Sequence, residues 1–194
     1  HPDSSEPEKV IRIAPSDTNR TSRILYKLRF FLLATLLHPI TTVQACSHCV
    51  LSNQRSIPDF FAVTFNLIYT LGLNTYYGGK QFTSAVAILD QGLLQAVWSV
   101  ETTARRNSPG LRKLIVSQFQ PGSLVVFIEC APSFSRHNAR ARTIDLSRAG
   151  RRGEEKPFDW HTMRTRIQDL WACAITLNQH TAFLRTTNDE SRTP

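Results

Sequence analysis

The sequence predicts an α+β fold, one domain with a mixed β-sheet near the N-terminus packed against several helices, and three observations predict it. Residues 40–77 are rich in Val, Ile, Thr, Phe and Tyr and are broken at Ser52-Asn53, Pro58-Asp59 and Gly72, the pattern of a strand meander. Residues 20–37, 84–106, 111–119 and 159–177 carry apolar residues at helical spacing instead. A chain of 194 residues with 41% hydrophobic content is long enough to bury one core.

The elements follow in order. Residues 1–18 are polar and contain proline, which predicts a flexible arm ahead of a single domain over 19–185. The helix over 20–37 mixes basic and apolar positions and stops at His38-Pro39, because proline cannot continue the hydrogen-bond ladder. Gly78-Gly79 makes a turn after the strands. The 84–106 helix places Leu89, Leu93, Ala96, Val97 and Val100 on one stripe, and Asn107 to Gly110 separates it from the shorter helix at 111–119. Residues 123–130 form an unbroken apolar run, compatible with a buried strand or a buried helix. Residues 136–152 hold six arginines, Asp159 is placed to cap the helix at 159–177, and 186–194 is a flexible polar tail.

Charge narrows the function. The net charge of +8 and a pI near 9.8 suggest a polyanionic partner, nucleic acid first. Arginine outnumbers lysine 18 to 5, and arginine is the better fork for phosphate and the better stacker on bases. No stretch reaches the roughly 18 uninterrupted apolar residues of a membrane span. One segment imitates a secretory leader: Arg20, Arg23, Lys27 and Arg29 precede the apolar run Phe30 to Leu37, with Val43-Gln44-Ala45 as a cleavage-like site. The preferred reading is an amphipathic helix packed on the core. Asn19-Arg20-Thr21 is a glycosylation sequon, meaningful in a secreted protein. Cys46-Ser47-His48-Cys49 has CxxC spacing, but Cys130 and Cys173 stand apart from it. On a strand, Cys46 and Cys49 point to opposite faces, so no metal site is expected.

Several segments, taken in order, resemble the ribosome-inactivating protein family, the ricin A chain-like RNA N-glycosylases. Leu51-Ser52-Asn53 leads, at the family's spacing, to Tyr69 three residues before Gly72, and Tyr77-Gly78-Gly79 is similar to the family's aromatic-Gly-Gly turn. Leu89 to Val100 resembles the helix that follows, and Ser123 to Arg136 the long central helix. Trp160, Met163, Ile167 and Gln168 match a helix start, while Ile24 to Arg29 and His38-Pro39-Ile40 fit the first helix and its turn. The resemblance spans roughly residues 20–180, with the family's C-terminal portion largely missing. It implies that 123–137 is helical despite its β-rich composition, and that Tyr69, Arg136 and Trp160 converge on one cleft.

The activity implied is removal of one adenine from large-subunit ribosomal RNA, which inhibits translation as a defence toxin does. A flipped adenine needs aromatic walls, hydrogen-bond partners for its edge, and a carboxylate to steady the oxocarbenium-like sugar. By resemblance Tyr69 is one wall, Gln81 stands at the second with Phe82 next to it, and the backbones of Thr70 and Gly79 meet the adenine edge. Arg136 donates to the leaving base and Trp160 floors the pocket. Ser133 stands where the family has its catalytic glutamate, so activity is expected to be impaired. Glu129, one helical turn earlier, is the substitute, and Pro132 kinks that helix. Arg140, Arg142, Arg148, Arg151 and Arg152 are the expected contacts to RNA phosphates.

The implied partners are the ribosome with its large-subunit RNA and a lectin chain or other domain. No cofactor or metal is implied, the chain is expected to be a monomer, and the location is secreted or vacuolar. Two alternatives stand beside the enzyme. One is a catalytically dead RNA-binding homologue; the other is an unrelated secreted or membrane-associated basic protein that uses 20–45 as a leader.

Overall fold

The computed structural model describes residues 9–13, 20–78, 85–89, 92–119, 124–130, 160–178 and 182–188. Its elements are β1 (Lys9–Ile13), α1 (Arg20–Leu37), α2 (Pro39–Leu51), α3 (Ile57–Gly78), β2 (Ala85–Leu89), α4 (Leu93–Thr103), α5 (Pro109–Val116), β3 (Leu124–Cys130), α6 (Trp160–Leu177) and β4 (Ala182–Asn188). The described chain is mostly helical, and this corrects the α+β expectation: among the described residues no mixed sheet stands near the N-terminus. The strands form two separate parallel pairs, β1 with β2 in register Lys9↔Ala85 to Ile13↔Leu89, and β3 with β4 from Leu124↔Ala182 to Cys130↔Asn188. Each parallel pair needs a long crossover; α1, α2 and α3 fall within the first, α6 within the second.

The segment read as a strand meander is α2 and α3. Strand propensity is a weak prior that burial overrides, and α3 is the element most enclosed by the others. Val63, Thr64 and every residue from Leu67 to Asn74 are buried, so it is apolar all round, as a core helix is. The breakers were seen at the right places but given the wrong role. Ser52 ends α2, its N–H donating to His48 O at 2.9 Å, and Asn53 follows in the left-handed region at φ 51°. Ser56 opens α3: its hydroxyl accepts from the Asp59 N–H at 3.2 Å and donates to the Asp59 carboxylate at 2.7 Å. That is an N-cap on the capping-box pattern Ser-Ile-Pro-Asp, with proline in the first turn, where its missing N–H costs nothing. Pro39 likewise stops α1 and also opens α2.

Three further expectations are corrected. The 84–106 helix is strand β2 followed by α4, divided near Gly92. Residues 124–130 form strand β3, so the central helix implied over 123–137 is contradicted there; the run Leu-Val-Val-Phe-Ile is rich in β-branched and aromatic residues, and β4 pairs with one edge of it. Part of the expected arm, residues 9–13, is strand β1.

The core joins all six helices around Ala34, Ala45, Cys49, Val63, Leu67, Ile68, Val97, Val100, Leu111, Ile115 and Leu170. A second cluster, Phe30, Tyr69 and Leu73 with Tyr26, Tyr76 and Tyr77 against it, joins α1 to α3. Early residues of α1 lie beside late residues of α3, and Phe31 stacks on Phe65 with ring centroids 5.1 Å apart, so the two helices run antiparallel. They meet at Gly72, where a Cβ would stand 1.9 Å from the Phe30 carbonyl oxygen.

Polar ties hold the other end together. Glu101, only 1% exposed at the end of α4, accepts from Arg112 Nε at 2.5 Å and Nη2 at 2.8 Å, and Arg166 of α6 donates to the Glu101 carbonyl. The Glu101 hydrogen bond raises the Arg112 guanidinium above its ordinary pKa. The turn after α2 is tied to the end of α4, the Arg55 N–H donating to Thr103 O and the Arg105 N–H to Asn53 O, each at 3.1 Å.

Two outcomes follow. Gly72→Ala should lower the free energy of urea unfolding by about 3 kcal/mol, because the added methyl meets backbone and not a movable side chain. Arg112→Ala should cost about 3–5 kcal/mol by stranding a buried carboxylate, whereas the double change Glu101→Met with Arg112→Met should recover most of that loss. A double variant no more stable than Arg112→Ala would show that the charges themselves are required.

Candidate functional site

Of the residues implied to form an adenine pocket, Tyr69, Thr70, Trp160 and Glu129 fall among the described residues. Tyr69 lies in α3, 3% exposed, with the rings of Tyr26 and Phe30 each 6.4 Å from its own and Lys27 Nζ 5.3 Å over its face. Burial pushes its hydroxyl up to about 12. The ring is therefore enclosed within the α1–α3 contact. Thr70 is fully buried, its hydroxyl donates to Asn66 O at 2.7 Å, and its backbone sits mid-helix, where the ladder uses the amide edges. Trp160 begins α6, which packs on α4 and α5. Glu129 lies in β3 opposite Thr187, so the helical turn that would relate it to position 133 is not present over 124–130. Gly79, Gln81, Phe82, Ser133, Arg136 and the arginines at 140, 142, 148, 151 and 152 lie outside the described residues.

The cysteine reading changes with the secondary structure. Cys46 and Cys49 sit in helix α2, where residues three apart share a face. Cys49 is nevertheless fully enclosed and its thiol is pushed up to about 11 by burial; burial also raises Cys46. His48 turns away, its Nδ1 3.3 Å from the Ser108 hydroxyl. Gly110 is the residue that leaves room for that ring, since a Cβ there would meet its Cε1 at 2.4 Å. Protonated, enclosed thiols are poor nucleophiles and poor ligands. Among the described residues no group of three or more His, Cys, Asp or Glu could hold a metal ion.

What the fold does assemble is an apolar surface on α1, α2 and the start of α3. One face of α1 packs on α3 through Phe30 and Ala34. The opposite face presents Leu25, Leu28, Leu32 and Leu36, exposed to 60%, 40%, 50% and 78%, at steps of three and four that keep them in one row. On α2, Ile40, Val43, Val50 and Leu51 are exposed opposite buried Thr42, Ala45 and Cys49. Ile57 and Phe61 add one apolar turn at the start of α3. Soluble monomers seldom leave so many large apolar side chains together in water. Of the basic residues of α1, Arg29 lies one turn from Leu25 and from Leu32, whereas Lys27 lies over the Tyr69 ring on the α3 side; residues 20–51 contain no Asp or Glu. Arg29 is held with its guanidinium 5.8 Å from the Phe30 and Tyr76 ring centres, so its stem lies along the aromatic cluster while the side chain stays exposed.

Sequence reasoning marked this basic-then-apolar run but assigned its apolar residues to the core. The signal that separates the two faces was present: Leu25, Leu28, Leu32 and Leu36 form one row, Phe30 and Ala34 another. No single helix is long and apolar enough to cross a membrane; α1 and α2 pass that test only as a pair, and they are bent by 111° at His38.

Alkaline pH should destabilise the fold in a defined window. The Cys49 thiol ionises near 9.0 when unfolded and near 11 when folded, so its contribution is complete below pH 9 and is lost as pH rises through 11. Tyr69 adds a second loss between 10.0 and about 12. Unfolding free energies measured from pH 8 upward should fall accordingly, and Cys49→Ala should flatten the part between 9 and 11. An unchanged slope in that variant would show that the thiol stays accessible to water. No protein-family model matches the chain, and no curated protein or solved structure is significantly similar to it.

Proposed function

We propose that this chain is a basic binding protein that seats on a lipid bilayer surface through helix α1. The observation that carries the reading is the exposed row Leu25, Leu28, Leu32 and Leu36 on the face of α1 that α3 leaves free. Apolar area removed from water contributes about 25 cal/mol per Å², so a leucine that sinks into the acyl boundary adds on the order of 1 kcal/mol. Four in a row suffice for reversible association. Release of adenine from ribosomal RNA is not the reading proposed, because a base has no open face of Tyr69 to stack on. The role is binding, with no reaction assigned.

Flotation with lipid vesicles tests it. The unmodified chain should rise with vesicles, and Leu28→Gln with Leu32→Gln should reduce the bound fraction by about tenfold or more without lowering thermal stability, because both positions are exposed. No flotation with any vesicle, or flotation unaffected by the two changes, would falsify the proposal. A stable dimer in sedimentation that the same two changes dissociate would assign the leucine row to a second copy instead.

A further inference from the structure

We infer that the paired turns after α2 and α4 carry a docking site for the phosphodiester backbone of a nucleic acid, with Arg55, Arg105 and Arg106 as its contacts. This site lies outside the bilayer reading and does not rest on it. Main-chain bonds fix where the three arginines stand. The Arg55 N–H donates to Thr103 O, the Arg105 N–H to Asn53 O and the Arg106 N–H to Ser52 O, each at 3.1 Å. Gln54 and Ala104 form an antiparallel bridge between the two turns. Arg55 and Arg105 therefore lie diagonally across that bridge, a separation of about 7–8 Å, with Arg106 next in the chain. Gln54 fastens the turns further, its amide nitrogen donating to the Ser52 hydroxyl at 2.7 Å and its amide oxygen accepting from the Thr103 hydroxyl.

The charges on this rigid base are exposed and unused. All three side chains are exposed, and no ion pair or hydrogen bond engages their guanidinium groups among the described residues. The acids nearest in sequence are committed elsewhere. Asp59 takes the Ser56 hydroxyl at the start of α3, and Glu101 is buried and holds Arg112. Residues 102–128 contain no Asp or Glu. Three like charges on two adjoining turns repel one another, and a polyanion relieves that repulsion. Guanidinium groups pair with phosphate through two parallel hydrogen bonds. Because the backbone beneath them is already ordered, docking costs little conformational freedom. The net charge of +8 favours an extended polyanion over a single phosphate. Contacts of this kind position a strand and carry no base preference.

Fluorescence anisotropy of a labelled oligouridylate, titrated with the full chain over a range of salt, tests the site. Affinity should fall as salt rises, and the triple change Arg55→Gln, Arg105→Gln and Arg106→Gln should lower it by about tenfold or more at low salt. The same change should make the slope of log K against log salt shallower by about 2, since each phosphate contact on a single strand contributes roughly 0.7. Arg55→Lys with Arg105→Lys and Arg106→Lys keeps the charge and should keep the slope. No binding by the unmodified chain at low salt, or an unchanged slope in the glutamine variant, overturns the site. A slope lost equally in the lysine variant overturns it too, because charge was then not what was removed. An oligothymidylate of equal length should give the same slope, and binding confined to the oligouridylate overturns the assignment to phosphates. Loss of RNA binding by the glutamine variant with flotation on phosphatidylcholine–phosphatidylserine vesicles retained supports the site. Loss of both assigns the arginines to lipid headgroups and overturns it.

Discussion

The contact between α1 and α3 at Gly72 is the constraint on which the rest of this structure depends. A side chain at position 72 would collide with the Phe30 carbonyl, so its absence lets two long helices meet at backbone distance. That closeness gathers Tyr26, Phe30, Tyr69, Tyr76 and Tyr77 into one aromatic cluster and carries Phe31 onto Phe65. It also divides α1 in two. A helix pressed against a neighbour along one side can bury only that side, and the leucines on the other have no partner among the described residues. The exposed row is thus a consequence of the tightest contact in the fold.

The far side of the core is organised differently. There, α4, α5 and α6 are joined at Glu101, whose carboxylate takes both Arg112 donors and whose carbonyl takes Arg166. A buried ion pair adds little net stability once desolvation is counted, but it fixes which residues face one another. Nearby, the turn after α2 is held to the end of α4 by backbone hydrogen bonds, and Gln54 accepts from the Thr103 hydroxyl. Directional bonds thus set register at the α4–α5–α6 end, and aromatic packing sets it at the α1–α3 end. The proposed surface lies on α1 and α2, away from the charged lock, so changes to the leucine row leave the core ties intact.

The strand meander read over 40–77 failed for an identifiable reason. Val, Ile, Thr, Phe and Tyr suit a pleated surface because it is half buried, and they suit the interior of a fully enclosed helix equally well. Thr64 and Thr70 show the point: both are buried in α3, and Thr70 satisfies its hydroxyl on the Asn66 carbonyl one turn back. The resemblance carried the same error forward, since Tyr69 three residues before Gly72 fits a strand pair and a helix alike. On the helix that spacing puts the ring and the glycine on the side facing α1, where they serve packing. The capping-box pattern at Ser56 and Asp59 was the local signal against a strand there, and it lies at the Pro58-Asp59 breaker already noticed.

The sequence by itself determined where elements stop, which segments are amphipathic and where positive charge gathers, because those depend on proline, glycine, capping residues and the order of side chains. It placed the ends of α1 at His38 and of α6 near Leu177, and it showed four basic residues followed by a long run without acid. Tertiary structure alone decided that 39–51 and 57–78 are helices, that 124–130 is a strand paired with 182–188, and that the leucines of α1 face outward. Those outcomes depend on which surfaces meet. An apolar residue in a sequence has the same composition whether it is buried or bare, and only the partner that arrives, α3 against Phe30 and Ala34, leaves Leu25, Leu28, Leu32 and Leu36 in water.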